Sequence, residues 1–161
     1  MLNFDLAVVG GGPAGMAAAL KDACDNMEEN TKKLIAMREQ LIEGILKIDL
    51  SRINGDREHR LPGNVSACFE GVEGESLLLY LDLMGISASS GSACTSGSLD
   101  PSHVLLSIGL VHEVAHGSLR LSLCEDNTPE EMEYILEKLP PIIDRLRDMS
   151  PLWEKIVKEG K

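Results

Sequence analysis

The chain has 161 residues, of which 43% are hydrophobic and 25% charged, and it carries a formal net charge of −11. That length supports one domain with a real core, with or without an appendage. With aromatics at only 3%, Leu, Ile, Val, Met and Ala must fill that core, which suits helix-rich packing. The acidic balance, without a Lys/Arg cluster able to follow a phosphate backbone, excludes nucleic acid and anionic membrane as expected partners. No run approaches the roughly 18 apolar residues of a membrane span, and the opening is too short for a secretion signal. The expected compartment is the cytoplasm.

Taken in order, residues 4–9 read as a buried strand that runs into Gly10-Gly11-Gly12-Pro13-Ala14-Gly15 and an alanine-rich helix. Leu20, Cys24, Met27, Leu34, Leu41, Ile45 and Ile48 keep close to heptad spacing, and no Gly or Pro interrupts Met16 to Glu43. The spacing predicts one long N-terminal helix, or two with a kink, packed along a sheet. Asn54-Gly55-Asp56 marks a turn. Asn64 to Glu70 alternates, with Val65, Ala67 and Phe69 on one face, and reads as a strand. A short helix over Glu75 to Met84 is closed by Gly85. Ile86 to Ser89 forms a brief strand before a serine-rich loop.

Asp100-Pro101 supplies an N-cap and first-turn proline for a helix ending near Gly109. Ser118 to Leu123 alternates again, with Leu119, Leu121 and Leu123 facing one way and Ser118, Arg120 and Ser122 the other. Thr128-Pro129-Glu130-Glu131 is a capping box for a last helix running to about Met149, which Pro140-Pro141 should kink or divide. This order predicts an α+β fold: a small mixed or antiparallel sheet covered by helices.

The four cysteines, Cys24, Cys68, Cys94 and Cys124, include no Cys-x-x-Cys pair and match no zinc spacing, so no metal site is expected. Cys94 lies in Ser89-Ser90-Gly91-Ser92-Ala93-Cys94-Thr95-Ser96-Gly97-Ser98, where nothing can anchor itself in a core. Such a loop should be exposed and mobile. By composition alone it is either a mount for a nucleophilic thiol or a linker with an incidental cysteine. Cys24 and Cys124 look like small packing residues. Cys68, opposite Val65, Ala67 and Phe69, is assigned no chemistry. His103 and His116 are expected to be satisfied structural histidines, and His59 and His112 to be solvated.

The longer stretches decide between the two readings of Cys94. Glu73-Gly74-Glu75-Ser76-Leu77-Leu78, the Ser89 to Ser96 loop, Pro101-Ser102-His103-Val104-Leu105, Ala115 to Leu123, and Arg145-Leu146-Arg147-Asp148-Met149-Ser150-Pro151-Leu152-Trp153 occur in this order from roughly residue 17 to 155. Together they resemble NifS-type cysteine desulfurases. The resemblance implies a pyridoxal-phosphate (PLP) enzyme of the class V aminotransferase-like fold. Such enzymes are normally homodimers, convert cysteine to alanine, and pass the sulfur to iron–sulfur scaffold proteins. It further implies that Cys94 is the catalytic thiol, holding sulfur as a persulfide. Arg120 would clamp the substrate carboxylate, where a guanidinium serves well as a bidentate partner. Leu106 departs from the arginine that many relatives carry there.

The family's PLP lysine follows a Ser/Thr-x-His stretch well upstream, and no such stretch exists in this chain; Lys32, Lys33 and Lys47 lie on helices and match nothing in that site. The expectation is a fragment: residues 17–155 as the desulfurase small domain and 156–161 as a tail. It should be inactive alone and prone to self-association, being either truncated or the partner of a separately encoded PLP domain. Residues 1–16 resemble the first βα unit of FAD-dependent reductases. Gly10-x-Gly12-x-x-Gly15 has the strand-to-helix setting of a dinucleotide turn, but no second strand with an acidic end follows about 20 residues on. The turn therefore reads as a grafted or fusion-like piece. FAD is not expected, and a nucleotide-binding or interaction module is the alternative reading.

Overall fold

The structure, a computed structural model, describes residues 13–90 and 101–158. The expected strand over residues 4–9 and the Cys94 loop lie outside this range. Helix α1 spans Pro13–Ile45 and runs unbroken for 33 residues, about 50 Å at 1.5 Å per residue. Strands β1 (Ser51–Ile53), β2 (Asn64–Phe69) and β3 (Ser118–Ser122) form one antiparallel sheet in the order β1-β2-β3. Helices α2 (Gly74–Leu83), α3 (His103–Ser107), α4 (His112–His116), α5 (Pro129–Asp148) and α6 (Pro151–Lys158) cover it. The fold is the α+β class read from the sequence. No described helix is long and apolar enough to cross a membrane.

Alternation assigns the two sheet faces. Val65, Ala67 and Phe69 of β2, with Leu119 and Leu121 of β3, enter the main core. There they meet Met37, Leu41, Ile42 and Ile45 of α1, Leu77 and Leu81 of α2, and Met132, Leu139, Ile142, Ile143 and Leu146 of α5. Each such aliphatic side chain stabilises the fold by about 1.5–3 kcal/mol. The opposite face carries a smaller cluster, in which Cys68 packs with Leu105, Leu110 and Ala115 of the α3–α4 segment.

Several expectations are corrected. Along α1 the heptad stripe is buried only from Leu34 onward; Leu20 is 67% exposed and Met27 61%. The helix is longer than the sheet and α5 against which it packs, so its first half has no core to enter among the described residues. Pro140 and Pro141 do not divide α5. Each removes one backbone donor, but Leu139, Ile142 and Ile143 are buried on either side of them and hold the turn in register. The helix expected to begin at Pro101 starts at His103, with Ser102 at its N-cap, and ends at Ser107; a separate α4 follows Gly109, which sits at φ +89°. Glycine there turns the chain in the left-handed region without a Cβ penalty.

Elsewhere the expected ends are met by identifiable contacts. The Thr128–Glu131 box closes as read: the Glu131 N–H donates to Thr128 Oγ1 at 3.4 Å, and the Thr128 N–H donates to Glu131 Oε2 at 3.1 Å. Helix α2 is capped by Glu73, whose carboxylate accepts from the backbone N–H groups of Glu75 at 2.9 Å and Ser76 at 2.7 Å. Helix α6 is fastened by Trp153. Arg147 lies over its ring at 4.3 Å, and a Cβ on Gly71 would stand only 2.5 Å from its Cε3.

Candidate functional site

The site is built where the end of the 86–90 segment joins β3. Ser89 and Arg120 form an antiparallel bridge: the Arg120 N–H donates to the Ser89 carbonyl at 2.5 Å, and the Ser89 N–H to the Arg120 carbonyl at 3.1 Å. One residue later the Ser118 hydroxyl donates to the Ser90 carbonyl at 2.8 Å. The chain is therefore bound to β3 up to the last described residue before the loop that contains Cys94. Cys94 itself lies outside the described residues, as do Gly10, Gly11 and Gly12 of the glycine turn. Pro13, Ala14 and Gly15 form the first turn of α1.

Arg120 sits mid-strand, half-buried, with its side chain on the face opposite Leu119 and Leu121. No described residue forms an ion pair or side-chain hydrogen bond with its guanidinium. A guanidinium without a partner among the described residues has its donors free, and its fork is the shape that matches a carboxylate.

The same face holds a residue that sequence reading missed. Asn54, read only as part of a turn, is 5% exposed. Its Nδ2 donates to Ser66 Oγ at 3.1 Å and to Cys68 Sγ at 3.3 Å. The turn is tied behind it by Arg60, whose Nη2 donates to the Asn54 carbonyl at 2.6 Å and whose Nε donates to the Asp56 carbonyl at 2.7 Å. The signal for Asn54's depth lay in β1, which is three residues long and gives no periodicity to read. Cys68 is fully buried, and burial pushes its thiol upward against the smaller effect of the Asn54 hydrogen bond. Such a thiol is chemically quiet.

Cys24, Cys124, His103 and His116 differ from expectation. Cys24 and Cys124 are exposed, because Cys24 lies on the uncovered half of α1 and Cys124 on the turn after β3. His103 and His116 are exposed on α3 and α4; both helices are only five residues long and bury chiefly Leu105 and Ala115. His59 is exposed as expected, with Nδ1 3.2 Å from Asp56 Oδ1, and His112 is exposed too. Among the described residues no group of three or more His, Cys, Asp or Glu could hold a metal ion.

A layered α+β domain with a half-buried arginine beside a loop-bearing strand defines a class before it defines an enzyme. The chain belongs to the aminotransferase class-V family, whose model matches residues 11–135; that match begins within the glycine turn. Among its relatives, cysteine desulfurase IscS of Clostridium botulinum is 55% identical over 150 residues, covering 91% of this chain and 38% of that protein. The IscS of Methanosarcina thermophila is 50% identical over 144 residues, with 89% and 36% covered. Two solved structures agree in fold. A NifS-like protein matches with a TM-score of 0.72 at 29% identity over 86% of this chain and 35% of that one. A NifS-like protein from Rickettsia africae matches with a TM-score of 0.68 at 31% identity, over 81% and 33%. The chain thus spans less than two-fifths of the length of the relatives it matches.

The family implies PLP, which needs a lysine held in a cofactor pocket. The described lysines do not fit that need. Lys21, Lys32, Lys33, Lys47, Lys155 and Lys158 are exposed on or just after helices, and Lys138 is paired with Glu137 at 2.7 Å.

Proposed function

We propose that this chain is the sulfur-handling part of a cysteine desulfurase, residues 17–155 forming the small domain, with residues 1–16 an appendage and 156–161 a tail. The observation that carries this reading is the pairing of Ser89 with Arg120, which starts the Cys94 loop beside a half-buried arginine with no partner among the described residues. Cys94 is four positions along the chain from Ser90, so the chain between them can span no more than about 14 Å. Arg120 pairs with the α-carboxylate of the amino-acid substrate. Cys94 holds one sulfur atom as a persulfide and delivers it to an acceptor. In delivery, an acceptor thiolate attacks the terminal sulfur, the Cys94 S–S bond breaks, and Cys94 leaves as a thiolate. The acceptor is an iron–sulfur scaffold protein, the setting is cytoplasmic, and the working form is a homodimer.

Loading of Cys94 from cysteine requires a lysine-bearing PLP domain, in the same protein or on a separate chain, since no described lysine here is placed to serve. Two measurements test the reading. Incubated with glutathione persulfide, the chain should gain the mass of one sulfur atom at Cys94 ahead of exposed Cys24 and Cys124, and Cys94→Ser should lose that gain. Equal gains at all three cysteines would overturn it. Alanine formation from L-cysteine should appear only when a lysine-bearing domain is added, and formation by this chain with PLP alone would overturn the need for that domain.

A further inference from the structure

One row of side chains crosses the polar face of the sheet at the level of Arg120. The Asn54 N–H donates to the Ser66 carbonyl at 2.8 Å, Ser66 stands opposite Arg120, and Arg120 exchanges both its backbone hydrogen bonds with Ser89. In an antiparallel strand a residue's N–H and C=O point to the same neighbour, so Ser66 and Arg120 form a non-hydrogen-bonded pair. Such pairs are the closer kind, with Cα atoms about 4.5 Å apart, and their side chains share one face.

The hydroxyl of Ser66 accepts from Asn54 Nδ2 at 3.1 Å. A hydroxyl that accepts still has its own proton to give, and no described residue receives it. Asn54 is held from behind by Arg60, while its own Oδ1 is buried without a partner. Stranding a buried acceptor is costly, so an amide aimed this way at Ser66 is more than a filler of the turn.

We propose that Ser66 is a second carboxylate-binding group beside Arg120, with Asn54 the positioning residue that turns the Ser66 proton outward. The ligand class is an amino-acid α-carboxylate, which takes N–H donors from the guanidinium and one O–H from Ser66. This inference rests on the reading of Arg120 as a carboxylate site, and its test separates the two.

The ¹⁵N-labelled 161-residue chain is titrated with L-alanine, and with L-alaninamide as the neutral control, while the Arg120 Nε–H and Asn54 side-chain NH₂ signals are followed by NMR. L-Alanine should move both saturably and L-alaninamide neither. Ser66→Ala should weaken binding about tenfold, the loss of one hydrogen bond to a charged group, while Ser66→Thr, which keeps the hydroxyl, should stay within about twofold. Asn54→Asp, which removes the donor to Ser66, should weaken binding as Ser66→Ala does, without a further loss in the double variant. If Asn54→Asp does not fold, the Ser66→Ala and Ser66→Thr pair still decides. Unchanged affinity in Ser66→Ala, with Arg120→Gln abolishing binding, would overturn this inference and leave the arginine site standing. No saturable shift in the unaltered chain, or full binding by Arg120→Gln, would overturn both.

Discussion

The hydroxyl of Ser118 donates to the carbonyl of Ser90 at 2.8 Å, joining residues 28 positions apart at the point where the sheet hands the chain to the Cys94 loop. Ser118 is itself buried, and the bond it makes is partly buried. Its strand neighbour two positions on, Arg120, makes the Ser89 bridge. The stem of the loop is thus fastened twice.

Removing the first fastening should have a small, readable effect. Ser118→Ala should lower stability by about 1 kcal/mol, the net worth of one neutral hydrogen bond, in a urea titration. The far-ultraviolet circular dichroism should be unchanged. A loss above roughly 3 kcal/mol would mean the side chain supports more than this bond.

The thiols should separate by burial. Exposed Cys24 and Cys124 should react with a maleimide in the folded chain, while Cys68 should react only after unfolding. Burial raises the Cys68 thiol, so the folded state favours its neutral form. That contribution to stability is whole below the pKa of an unfolded thiol, about 8.5, and is lost as pH rises toward the higher folded value. Cys68→Ser should therefore flatten part of the alkaline fall in stability. An alkaline limb identical to that of the unaltered chain would refute this.

Arg147 offers the largest expected loss. It is 4% exposed, its Nε donates to the Glu70 carbonyl at 3.0 Å and its Nη2 to the Asp49 carbonyl at 2.7 Å, and it stacks on Trp153. Arg147→Ala should cost about 3 kcal/mol or more, from two hydrogen bonds to a charged donor and a cation–π contact. Trp153 is the chain's single tryptophan, so its emission reports directly on α6. That emission should shift to the red in Arg147→Ala, and an unshifted spectrum would show that α6 is held by other contacts.

Acid should act through the cap of α2. Burial works to raise the Glu73 carboxyl, but hydrogen bonds from the Ser76 hydroxyl and backbone and from the Glu75 backbone outweigh it and hold the pKa below the usual value. A depressed carboxyl stabilises the fold above its unfolded pKa, about 4.3. The contribution is lost as pH falls through the folded value. Glu73→Gln should cost about 1 kcal/mol at neutral pH, and the gap should close in acid. A gap independent of pH would assign the loss to shape rather than charge.

Much of the fold was legible because its signals are local. The Thr128 to Glu131 box, the alternation of Asn64 to Glu70 and Ser118 to Leu123, and the glycine stop at Gly85 are each fixed by residues within a few positions of one another. Strand β1 and helix α4 escaped notice because three and five residues carry no period. Helix α6 was passed over because its eight residues bury none fully and hold by one aromatic anchor. The heptad stripe of α1 was real as a pattern, yet only its second half is core. A period says which side of a helix is apolar and not how far the neighbouring sheet extends.

The candidate site divides in the same way. By itself the sequence determined the two residues that carry the family likeness, Cys94 and Arg120, and the lack of any lysine in a matching setting. Tertiary structure alone decided that Ser89 lies on Arg120, that Asn54 reaches Ser66 and Cys68 across a turn, and that Cys68 is sealed while Cys24 and Cys124 are open. The reason is physical: hydrogen bonds between strands and burial against distant helices join groups tens of residues apart, and no local spacing encodes which of them will meet.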